Sequence, residues 1–165
     1  VDDVERVLEA AARFLEARSR SEAEVRRRLV SAGYRPELVG QAIERLRALG
    51  FLDDETFARS WVESRDRARP RGAIALRREL RLKGINQETV ERVMAERDAG
   101  DGGAGGGDGP DETAARRLLE RHARALARIG DPRTRRQRAY ALLARNGFDP
   151  EICARLARHA AVTDA

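Results

Sequence analysis

The sequence predicts an all-α fold of three tandem three-helix repeats forming an elongated, curved helical array. Three observations predict it. The phrase Leu-x-x-x-Gly-Φ-x-x-Glu, with Φ a large apolar residue, occurs at Leu29–Glu37, Leu80–Glu88 and Leu143–Glu151, and recurrence of this kind marks a repeat architecture. Apolar residues between the copies recur at spacings of three and four, the helical period, and no segment requires a strand. Finally, 37% charged and 4% aromatic residues in a chain of 165 argue against one large apolar core and for small modules leaning on one another.

Each copy of the phrase encodes a stop, a turn and a restart. The helix carrying Leu29 ends where Gly33 supplies the left-handed conformation of a helix C-terminus, and Tyr34 folds back over the last turn. Pro36 and Pro150 stand at first helical positions, Asp149 and Asn86 at N-caps, and the repeated Glu falls in the first turn, where the helix dipole favours an acid.

The first repeat is read over 1–50. Val4, Val7, Leu8, Ala11, Phe14 and Leu15 share one face of a helix over Val4–Ala17. Ser21 and Glu24 form a capping box for a second helix with Val25 and Leu29 inward, and a third runs from Pro36 to Ala48. Gly50 ends it. The second repeat, 51–98, opens with Asp53 or Asp54 as cap of a helix burying Phe57, Ala58, Trp61 and Val62. A helix over Ala73–Leu82 and one capped by Asn86 follow, the last with Val90, Val93 and Met94 inward.

From Gly33 to Gly84 is 51 residues and from Gly84 to Gly147 is 63. The excess matches Ala99–Gly109, a Gly-rich acidic run that reads as a flexible linker. The third repeat, 110–165, has Ala115, Leu118, Leu119, His122, Leu126 and Ile129 on its first helix. Asp131 and Pro132 start its second, and Ile152, Cys153, Leu156 and Ala160 mark its third.

Catalytic chemistry is poorly supplied. His122 and His159 are the only histidines and Cys153 the only thiol, too few ligands for a His/Cys metal site. His122 and Cys153 read as packing residues, and Asp53, Asp54 and Glu55 as helix-start acids. The Gly run lacks the Lys-Ser/Thr of a phosphate loop. No cofactor and no enzyme activity are expected. The lone cysteine fits a reducing compartment. No apolar run reaches the roughly 20 residues of a membrane span and no leader pattern opens the chain, so the expectation is a cytoplasmic protein. It begins at Val1, consistent with an omitted N-terminal piece.

Charge carries more information. Net charge is +5, and every basic residue except Lys83 is Arg. One cluster holds Arg65, Arg67, Arg69, Arg71, Arg77, Arg78, Arg81 and Lys83; a second holds Arg133, Arg135, Arg136 and Arg138. Both are placed at the start of a repeat's second helix, where Arg26, Arg27 and Arg28 stand in the first. They read either as a solvated helix face or as a basic track for phosphates or an acidic protein groove. With Phe57 and Trp61 assigned to the core, nucleic-acid contact is expected to be electrostatic and sequence-independent.

The runs R-S-R-S-E-A-E-V-R-R-R-L-V-S-A-G-Y (Arg18–Tyr34), L-x-x-L-G-F-L-D-D-E-T-F-A (Leu46–Ala58) and R-P-R-G-A-I-A-L-R-R-E-L-R-L-K-G-I (Arg69–Ile85), in that order, resemble the bacterial RecX regulatory family. The resemblance covers nearly the whole chain. It implies a monomeric, non-enzymatic modulator of the recombinase RecA, with RecA and the RecA–DNA filament as partners and weak sequence-independent DNA contact. Such a protein lies in the filament groove and inhibits or tunes ATP hydrolysis, strand exchange and LexA-cleavage coprotease activity, restraining recombination and the SOS response. The departures are the Gly-rich insert and the third repeat, whose match rests on Arg138, Leu142, Leu143, Gly147 and Phe148. A DNA-binding helical module without a recombinase partner is the alternative, and a peptide-binding adaptor a third reading.

Overall fold

The computed structural model describes residues 3–100 and 108–162, and among these there are nine helices and no strand. They are α1 Val4–Glu16, α2 Glu22–Ser31, α3 Pro36–Ala48, α4 Asp54–Ala68, α5 Ala73–Leu82, α6 Gln87–Gly100, α7 Pro110–Ala127, α8 Pro132–Arg145 and α9 Pro150–Val162. The hinge glycines Gly33, Gly84 and Gly147 have φ of +91°, +80° and +81°. In each, the next residue donates its N–H back to the repeated Leu carbonyl: Tyr34 to Leu29, Ile85 to Leu80 and Phe148 to Leu143. That bond caps the helix and turns the chain.

Packing divides the chain into two compact units, Val1–Ser60 with Leu80–Val90 and Trp61–Glu79 with Glu91–Ala165. In the first unit, Val7, Ala11, Val25, Leu29, Val39, Ala42, Ile43, Leu46 and Leu52 form one buried cluster, with Phe14, Leu15 and Tyr34 against it. The capping box at Ser21 is complete: its hydroxyl accepts the Glu24 N–H and the Glu24 carboxylate accepts the Ser21 N–H. The two acids read as alternative caps divide the work. Asp53 accepts the Thr56 N–H at the start of α4, whereas Asp54 accepts the Glu22 N–H at the start of α2.

The α5–α6 turn is seated on that same helix start. The Ser21 hydroxyl donates to the Lys83 carbonyl oxygen, Lys83 Nζ lies 2.9 Å from Glu24, and Gly84 abuts Ala23.

The second unit repeats the device one repeat further on. The Gly72 and Ile74 N–H groups donate to the Asn146 and Gly147 carbonyls, and the Ala73 N–H donates to Asp111 at 3.0 Å. Three donors at the start of α5, which no helix can satisfy internally, are thus met by the third repeat. Ala114, Ala115, Leu118, Leu143, Phe148, Cys153 and Leu156 form the buried cluster beside this contact. Desolvation by burial pushes the Cys153 thiol up, so it stays protonated as core filler.

Three expectations need correction. His122 is exposed, its Nδ1 3.0 Å from the Leu118 carbonyl, although Leu126 one turn further along α7 is buried with Ala139 and Ala157. Trp61 is only partly buried, since its indole N–H donates to Glu79 at 2.8 Å. Ala99 and Gly100 belong to α6 and not to a linker; the linker reading of 101–107 lies outside the described residues.

Candidate basic interface

The twelve basic residues singled out by sequence separate into two populations. In the first, the charge is already engaged. Glu79 on α5 accepts from Trp61 Nε1 and Arg65 Nε, and lies 3.3 Å from Arg71 Nε; Arg65 also stacks over Trp61 at 4.6 Å. Arg71 reaches Asn146 Oδ1 at 2.7 Å, Arg77 grips Glu91 with a fork of contacts near 3.1 Å, and Lys83 holds Glu24. Arg135 is 6% exposed and sends Nε and Nη2 to the Ile129 carbonyl. It holds the α7–α8 turn, so it leaves the exposed track in which the sequence placed it.

The second population is exposed: Arg67 and Arg69 around the end of α4, Arg78 and Arg81 on α5, and Arg133, Arg136 and Arg138 on α8. None of the seven is salt-bridged among the described residues, so a phosphate or carboxylate reaches them without breaking an existing pair. Seven of the twelve candidates thus carry exposed charge that forms no salt bridge among the described residues.

The frame is also shifted in the third repeat. α2 and α5 each span 10 residues up to their hinge, whereas α8 spans 14. The added turn carries Pro132–Arg135, and the α8 cluster begins at Arg133, about two turns upstream of the place that Arg77 and Arg78 occupy before Gly84. Tyr140 and Ala141 stand there instead.

The strongest electrostatic feature was missed by sequence. Arg97 on α6 has a side chain only 5% exposed, paired through Nε and Nη2 to Asp66 on α4 and through Nη1 to Asp111 on α7. Burial opposes its charge, but the bonds to Asp66 and Asp111 outweigh that and raise its pKa. Since Asp111 also accepts the Ala73 N–H, one carboxylate ties α5, α6 and α7 together. This is an architectural site. Among the described residues no helix is long and apolar enough to cross a membrane.

Comparison with known proteins agrees with this architecture repeat by repeat. Residues 8–46, 53–94 and 110–156 match the first, second and third three-helix domains of RecX. The chain is 34% identical to the regulatory protein RecX of Mycolicibacterium vanbaalenii over 143 residues, 83% of this chain and 72% of that one. It is 32% identical to that of Prosthecochloris aestuarii over 149 residues, 90% and 89% of the two chains. The crystal structure of RecX from Lactobacillus salivarius shares the fold with a TM-score of 0.73 at 19% identity, covering 96% of this chain and 97% of that one. The chain belongs to the RecX family of regulatory proteins.

Proposed function

We propose that this protein binds RecA and its nucleoprotein filament and modulates recombinase, ATPase and coprotease activity, acting without catalysis of its own. The observation that supports the reading, beside the family, is the set of exposed arginines on α5 and α8 that form no salt bridge among the described residues. Guanidinium groups held on helices suit both filament phosphates and acidic protein surface. On this reading the protein is a monomeric cytoplasmic restraint on recombination and the SOS response in DNA repair.

The test is RecA ATPase and strand exchange on single-stranded DNA with this protein added at stoichiometric concentration. A change in both rates is expected. No change, with DNA binding intact, would leave the alternative of a nucleic-acid-binding module without a recombinase partner.

A further inference from the structure

The α8–α9 surface carries a groove, and two of its lining residues stand where the second repeat has an ion pair. A cavity of about 470 Å³ is lined there by Arg136, Gln137, Tyr140, Ala154, Ala157 and Arg158. Tyr140 and Ala154 each lie seven residues from Gly147, just as Arg77 and Glu91 each lie seven from Gly84. In the second repeat those two positions form the forked Arg77–Glu91 ion pair. In the third, the acid has become a methyl group and the arginine an aromatic ring.

Two consequences follow for what the groove can bind. Its lining holds two guanidinium groups, where the second repeat has Ala73 and Ala95, and no carboxylate to neutralise them. Arg136 is exposed, and Arg158 folds its Nε onto the Ala154 carbonyl at 3.2 Å, with no acid paired to it among the described residues. Tyr140 is 38% exposed, a large aromatic surface beside those charges. A ligand matching both features is flat, π-bearing and anionic.

We propose that this groove is a nucleotide subsite for single-stranded DNA, with one base stacked on Tyr140 and the flanking phosphates met by Arg136 and Arg158. A single strand is the form of choice because its bases are free to leave the stack, whereas a duplex holds them inside. Exposed aromatic rings interleaved with cations are how sequence-tolerant single-strand sites are built. The assignment deepens the function proposed above: it rests on contact with DNA and not on contact with RecA.

The experiment compares binding of the whole chain to an oligothymidylate and to an abasic oligonucleotide of equal length and charge, by fluorescence anisotropy at fixed salt. A base–aromatic stack is worth about tenfold in affinity, so the wild type prefers the base-bearing strand by about that factor. Tyr140→Ala abolishes the preference and Tyr140→Phe keeps it. Ala154→Glu, which restores the acid of the second repeat, weakens binding of both strands and reduces the preference. Circular dichroism checks that each variant retains its helices, and Ala154→Glu carries the test should Tyr140→Ala fail to fold.

Equal binding of the two strands by the wild type overturns the subsite. So does tighter capture of polyglutamate that is lost in Arg136→Glu and kept in Tyr140→Ala, which marks an acidic peptide groove. RecA ATPase measured on the same variants separates the two readings. Regulation of RecA without base preference removes the subsite alone, and base preference without any effect on RecA removes only the recombinase function.

Discussion

Gly147 lies against Ala75 with no space for a side chain: a methyl group on Gly147 would overlap the Ala75 Cβ and backbone N. Gly84 stands in the same relation to Ala23, whereas Gly33, the first hinge, has nothing near its missing Cβ. All three glycines have positive φ, so the hinges share one conformational demand and differ in what surrounds them.

Alanine at the three hinges therefore separates conformation from packing. Gly33→Ala should cost about 1–2 kcal/mol, the penalty of a left-handed L-residue. Gly84→Ala and Gly147→Ala add an overpacking penalty of about 1–3 kcal/mol. Urea denaturation of the three variants measures the difference; equal losses would mean that neither seated turn is tightly packed.

Arg97 invites a second substitution. Arg97→Met leaves Asp66 and Asp111 without their buried partner, and breaking such a pair costs about 3–5 kcal/mol. Arg116 is the contrast: its side chain is 46% exposed beside Asp108 and Glu112, and an exposed pair contributes about 0–1 kcal/mol. Thermal unfolding of the two variants should show a large fall in Tm for Arg97→Met and almost none for Arg116→Met.

Local periodicity explains why the helices could be read from sequence while part of the basic interface could not. Gly33, Asn86 and Pro150 act on their immediate neighbours, so their roles are written in spacing. The engagement of Arg65 and Arg71 by Glu79 depends on how α4, α5 and the loop between them converge, over 14 and 8 residues, and no pattern within one helix reports it. Arg135 was legible after all: it stands four residues before Ala139 and eight before Leu143, both fully buried, on the inner stripe of α8. Tyr140 belongs to no repeated phrase and to no run of charge, so no local signal marks it. Counted from the hinge, it falls at the place of Arg77, and the added turn of α8 becomes visible.

Glu24 gives the stability an acid-sensitive component. Burial pushes its carboxyl up, but hydrogen bonds from the Ser21 N–H and Lys83, with the charges of Lys83 and Arg18, bring it below its ordinary value. The folded state then holds this proton less tightly than the unfolded chain. The stabilisation is complete above the unfolded value of about 4.3 and is lost as pH falls through the lower folded value. Glu24→Gln should be less stable at neutral pH and should lose less of its remaining stability on acidification. Parallel pH profiles for the two proteins would remove Glu24 from this role.

The two arginine populations predict opposite phenotypes. Replacing Arg65 and Arg71 with Gln strips Glu79 of its ionic partners and should lower stability by about 1–3 kcal/mol, because a partly buried carboxylate loses charge-assisted bonds. Polyanion affinity should fall little in the fraction that remains folded. Replacing Arg133, Arg136 and Arg138 with Gln removes three exposed charges that form no salt bridge among the described residues, so stability should change by less than about 0.5 kcal/mol. Binding to single-stranded DNA should instead lose salt dependence. Each phosphate contact contributes about 0.7 to the slope of log affinity against log salt, so three contacts reduce it by about 2. An unchanged slope would show that these arginines meet only solvent, and would confine phosphate contact to residues such as Arg78 and Arg81 on α5.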